Sequence, residues 1–159
     1  MKGKRGIMEM PFGTIFAIFL IAVFIAVAIY AIIYFLNIQK CASTNLFVDE
    51  LQTRIDELWR SQKGNDAIKV ALPSRIKAVC FGDMSQAASG NETIYENLQR
   101  NYEADANLYF YPQKGACGSP YRTIKHINLT NVENPHCYYN GETIKIKKDY
   151  MTSVLIDNG

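Results

Sequence analysis

Residues 15–36 read IFAIFLIAVFIAVAIYAIIYFL, 22 positions inside a longer stretch, between Glu9 and Lys40, that carries no charge. As an α-helix this run extends ~33 Å, enough to cross a hydrocarbon core of about 30 Å. A mean hydropathy near zero over the 159 residues therefore averages two unlike parts. A cleaved secretory signal has a shorter apolar region of about 7–15 residues that ends at a small-x-small site. Neither feature is expected of this run, and because Ile38, Gln39 and Lys40 precede Cys41 there is also no small-residue lipoprotein cleavage box. The run reads as a signal-anchor helix, and the expected layout is a cytoplasmic basic N-terminus (1–11), a transmembrane helix (12–36), a hinge (37–43) and an extracytoplasmic α+β domain (44–159).

Charge gives that layout a direction. Lys2, Lys4 and Arg5 precede the span and only Lys40 closely follows it, so the positive-inside rule expects the N-terminus in the cytoplasm and the domain outside, in a single-pass cell-membrane protein. Of the 17 Lys/Arg and 15 Asp/Glu, three bases and one acid lie in residues 1–11, leaving 14 of each beyond. A neutral domain offers no basic stripe for phosphates, so nucleic acid is not an expected partner. The expected partners are the lipid bilayer and an unidentified envelope protein. Tyr30 and Tyr34 fall in the outer third of the span, where amphipathic rings sit among headgroups. Gly13, Ala17, Ala22 and Ala26 supply small-xxx-small spacings, which makes self-association through the helix a further expectation.

Cys41, Cys80, Cys117 and Cys137 all follow the span, and an even cysteine count in an oxidising compartment usually means disulfides. Of the three possible pairings, Cys117 with Cys137 and Cys41 with Cys80 close the shorter loops and are favoured on chain entropy. No Cys-x2-Cys pair occurs and His126 and His136 are the two histidines, so no metal site is expected. Asn91-Glu92-Thr93 and Asn128-Leu129-Thr130 match the N-glycosylation sequon and lie on the expected outer side.

In the outer domain, Asn45 is positioned to cap a helix running to about Lys63, with Phe47, Val48, Leu51, Ile55, Leu58 and Trp59 on one face and Gly64 as its stop. Glu50 with Arg54 and Asp56 with Arg60 stand four apart, acid before base, as helix-supporting pairs. Residues 68–72 and 75–81 flank Pro73-Ser74 and read as a tight strand pair; 85–91 reads as a loop and 93–102 as a short helix. Strands are expected at 108–111, 122–129, 137–139, 143–147 and 153–156, mostly antiparallel, with Asn140-Gly141 as a hairpin turn. Tyr95, Tyr109, Tyr111, Tyr121, Tyr138 and Tyr139 crowd this half, and strand alternation favours packing over a recognition surface.

The chain contains no Gly-x-Ser-x-Gly elbow, His-Glu-x-x-His pair, phosphate-cradling loop or dinucleotide fingerprint. A nucleophile assembled in space from Cys80 or Cys117 with His126 remains open to sequence reasoning, but oxidation would cap those thiols. No catalytic residue, cofactor or enzymatic activity is expected.

Lys4-Arg5-Gly6-Ile7-Met8-Glu9, followed by a long apolar helix and a β-rich head, resembles the N-terminus of type IV pilins and related archaeal surface-filament subunits. The resemblance implies cleavage after Gly6 and a helix that packs during assembly. In that family a glutamate stands at the fifth mature position; here Glu9 would be third and Pro11 fifth. The whole layout, including Met-Glu-Met-Pro-Phe before the span and Leu-Pro-Ser-Arg-Ile-Lys-Ala-Val-Cys-Phe after the helix, is similar to small archaeal membrane-anchored surface proteins of unassigned function. Two functions follow: an anchored, disulfide-stabilised structural or interaction module, or a processed pilin-like subunit.

Overall fold

The computed structural model describes residues 12–116, 118–150 and 152–157. The chain divides into two units, Met1–Gln39 and Lys40–Gly159. The expectations for Gly6, Glu9 and Cys117 concern positions outside the described residues.

Helix α1 (Phe12–Arg60) is a single helix of 49 residues. Residues 37–43, expected as a hinge, are helical, and the boundary between the two units falls among them. They contain no proline or glycine to interrupt the ladder. Thr44, buried in the next turn, turns its hydroxyl back onto the Lys40 carbonyl at 3.2 Å. Asn45 accordingly caps nothing; its Oδ1 accepts from Arg122 Nη2 at 3.1 Å.

Within the first unit every side chain described from 13 to 39 is exposed, Phe24 at 69% and Tyr30 at 70% among them. This is a helix apolar all round and long enough to cross a membrane. From residue 44 the pattern changes to one buried stripe, Phe47, Leu51, Ile55 and Leu58, at spacings of three and four. The helix ends at Arg60, not at Lys63 with Gly64 as its stop. Ser61 folds back, its N–H and hydroxyl both donating to the Leu58 carbonyl at 3.1 and 2.6 Å. Gly64 is instead the second residue of β1 (Lys63–Lys69).

Among the described residues the second unit holds two four-stranded sheets. Besides β1 its elements are β2 (Ala78–Phe81), α2 (Glu92–Gln99), β3 (Leu108–Tyr111), a single 3-10 turn (Gln113–Gly115), β4 (Tyr121–Arg122), β5 (Ile127–Asn128), β6 (His136–Tyr139), β7 (Thr143–Asp149) and β8 (Val154–Ile156). One sheet has the order β1-β7-β8-β5 and the other β4-β3-β2-β6. Every pairing is antiparallel except β5 with β8. The fold class is thus α+β with antiparallel-rich sheets.

Period-two alternation explains how the layers stack. In β7, Ile144, Ile146 and Lys148 point inward between exposed neighbours. In β2 and β3, Val79, Phe81, Leu108 and Phe110 join the α1 stripe and the first sheet in one core. Ala78, Cys80 and Tyr109 face the other way, onto Ile94 and Leu98 of α2. Both faces of β2 are therefore buried, which is why it reads as an unbroken apolar run.

Two expected pairings are corrected. Residues 68–72 and 75–81 do not pair with each other: β1 lies against β7 and β2 against β3 and β6, in separate sheets. The Pro73-Ser74 turn does form, with Ile76 N–H donating to the Pro73 carbonyl at 2.8 Å. Likewise Asn140-Gly141 makes a turn, Gly141 at φ 96°, but it carries the chain from β6 in one sheet to β7 in the other. Asn140 is held by Leu72, exchanging two 3.0 Å bonds with its backbone, so a third segment sets this turn's direction.

Candidate functional site

The sequence offered Cys80 and His126 as conceivable partners in chemistry. Cys80 is fully buried and bonded to Cys137, its register partner across β2 and β6. This overturns both favoured pairings, Cys41–Cys80 and Cys117–Cys137. Sheet register brings residues 57 apart in sequence to a Cα separation of 4.0 Å, and that proximity outweighs a loop-length preference on the order of 1 kcal/mol. Cys41 is also disulfide-bonded.

His126 is instead part of a junction between α1 and the turn before β5. It sits at φ 65°, with Nδ1 3.0 Å from Asp56 Oδ1 and its ring stacked on Trp59 at 3.9 Å and 8°. Gln52 donates to the same Asp56 oxygen at 2.8 Å and accepts from Lys125 N–H at 2.9 Å. The His126 hydrogen bond holds the Asp56 carboxyl below the usual carboxylate range, with Gln52 and the charges of His126 and Arg60 acting the same way against the opposing effect of desolvation. Trp59 Nε1 donates to the Thr152 carbonyl at 2.9 Å, while Lys148 Nζ donates to the Trp59 carbonyl at the helix C-terminus. Each polar group here has a structural partner, so the junction is a clasp. Arg54 reaches Asp66 of β1 at 3.4 Å instead of Glu50, and Asp56 bonds His126 directly while Arg60 acts on it through charge alone.

The tyrosines divide. Tyr109 is completely buried and its hydroxyl is pushed up to about 12 by that burial. Tyr138 is raised for the same reason, helped by the charges of Asp157 and Glu142. Tyr95 is half-buried, its hydroxyl donating to the Gln86 carbonyl at 2.7 Å, and Tyr139 is 47% exposed. Of the sequons, Asn91 is exposed and caps α2 by accepting from Ile94 N–H at 3.0 Å. Asn128 is half-buried in β5 and accepts from Thr130 N–H at 2.9 Å.

Two clefts were not foreseen. One, of about 380 Å³, is lined by Asp83, Gln86, Leu129, Val132, Glu133 and Asn134 among others. Asn134 organises its wall: Nδ2 donates to the carbonyls of Asp83 at 2.7 Å and Ala87 at 3.2 Å, and the Asn134 carbonyl accepts from Ser89 and Gly90 N–H. Asn134 Oδ1, buried and without a hydrogen-bond partner, packs against Gly82, where any Cβ would collide with it. The other cleft, of about 370 Å³, is lined by Asn97, Arg100, Asn101, Gln113 and Lys114 between two prolines. Gln113 Nε2 donates to the Leu98 carbonyl at 3.0 Å, tying the end of α2 to the turn after β3. The small residues of 85–91 were the available hint of the first; nothing in the linear order joins 97–101 to 112–114.

The architecture defines an α+β protein with one long apolar N-terminal helix and a disulfide-bonded double-sheet unit. No family model matches the chain, and no curated protein or solved structure matches it either.

Proposed function

We propose that the protein is a single-pass membrane-anchored component of the cell envelope, with its N-terminus in the cytoplasm and residues 44–159 outside as a structural or interaction module. The observation that carries this reading is the contrast within α1. Residues 13–39 bury no described side chain, whereas 44–58 bury one stripe against sheets. An apolar helix with no inward face requires an apolar surrounding, and lipid supplies it. The Cys80–Cys137 disulfide supports an oxidising compartment for the second unit. The exposed sequon at Asn91 supports a surface-facing module, with Asn128 the less accessible acceptor.

A second reading, a pilin-like subunit cut after Gly6, is favoured by one observation: Lys4-Arg5-Gly6 stands just before a long apolar helix. Intact mass and N-terminal sequence of the protein from its native membrane separate the two. Retention of Lys2, Lys4 and Arg5 is the expected result; a start at Ile7 would replace the anchor reading by the filament one.

A further inference from the structure

The two clefts lie at opposite ends of the second sheet. Gly82 follows Phe81, which faces Leu108 at one end; Pro112 follows Tyr111, which faces Ala78 at the other. Helix α2 runs between them, with Gly90 and its N-cap Asn91 beside the first cleft and Arg100 in the second. Their charges are opposite. The first carries Asp83 and Glu133 with no basic residue in its lining; the second carries Arg100 and Lys114 with no acidic one. All four side chains are exposed, and among the described residues none of them forms an ion pair. Arg100 also complements the C-terminal dipole of α2, but Asp83, Glu133 and Lys114 are not on that helix and gain nothing from it. Arg75 and Lys77, exposed beside the turn after β3, extend the basic end.

We propose that these ends are the two halves of a head-to-tail contact, in which the acidic cleft of one copy receives Arg100 and Lys114 of the next. The clefts are complementary in charge, and a second copy is the one partner certain to present the matching half. The acidic wall is fixed before any encounter, because Asn134, Gly82 and Gly90 hold loop 82–90 in place. The basic stems have Leu129 and Val132 to lie on. Because the two surfaces differ, the contact is heterologous and propagates into a ring or a row. It applies to anchored and to processed copies alike, so its failure leaves the membrane reading standing.

The test uses full-length protein, half of it 15N-labelled, reconstituted in phosphatidylcholine vesicles and treated with a carbodiimide that joins carboxylate to lysine without a spacer. The expected product is a mixed-isotope peptide linking Lys114 to Asp83 or Glu133, reduced about tenfold at 1 M salt. A folded protein that yields no such peptide, or one whose Lys114 links equally to an unrelated exposed carboxylate such as Glu50, overturns the proposal. Charge reversal supplies a second readout. Asp83→Lys with Glu133→Lys, and separately Arg100→Glu with Lys114→Glu, should each abolish self-linking, and an equal mixture of the two variants should restore it. Loss without restoration in the mixture also overturns it.

Discussion

At the scale of single residues, the Asp56–His126 contact shows how a helix end is fastened to a sheet. Asp56 is held below the unfolded carboxylate value by the His126 hydrogen bond first, so its contribution to stability is complete above about pH 3.8 and is lost as pH falls through the lower folded value. In urea titrations of the purified protein, Asp56→Asn should lower the midpoint at pH 6, and the gap from the unmodified chain should narrow at pH 3. A gap that stays constant across that range would mean that the carboxylate charge has no part in the clasp. His126 was legible in the sequence only as a histidine. Its role comes from a backbone turn at φ 65° that sets the ring on Trp59, and residues 67 apart give no linear sign of that.

At the scale of elements, what the sequence made legible is what depends on local order. The alternation expected over 143–147, the strand 108–111 and the apolar face 47–58 are present, set by repeats of two or of three to four residues, and the small-residue stretch 85–91 is a loop. What it did not make legible is partnership. A turn such as Asn140-Gly141 looks the same whether it joins neighbours in one sheet or crosses between two, and the register that pairs Cys80 with Cys137 exists only once β2 has chosen β6. The clefts depend on the same long-range choices. The apolar face itself allows a quantitative test, because Ile55 is fully buried in the core that α1 shares with the sheets. Ile55→Ala should cost about 2–5 kcal/mol in chemical denaturation, whereas Leu46→Ala on the exposed side of the same helix should stay within about 0.5 kcal/mol. Equal effects at the two positions would mean that residues 44–60 are not packed as described.

At the scale of the whole molecule, topology and covalent chemistry are coupled in a way that can be measured. Lys2, Lys4 and Arg5 outnumber the single Lys40 across the apolar segment, and in the proposed orientation that imbalance is what selects the side on which the remaining chain emerges. The oxidising side is where Cys80 and Cys137, brought together by β2 and β6, can close their bond. Changing Lys2, Lys4 and Arg5 to Glu leaves the apolar run intact while removing the bias. The proposed orientation therefore expects a population with residues 44–159 on the reducing side, visible as thiols that react with an alkylating reagent in lysed cells before any reductant is added. The same molecules should resist protease applied to intact cells. Because removal of a native disulfide from a small domain typically costs about 2–5 kcal/mol, they should also be degraded faster inside the cell. Unchanged thiol reactivity and unchanged protease access would show that orientation does not depend on these charges. Cleavage after Gly6 would produce that outcome only if it preceded insertion, and the mass of the mature chain decides this independently.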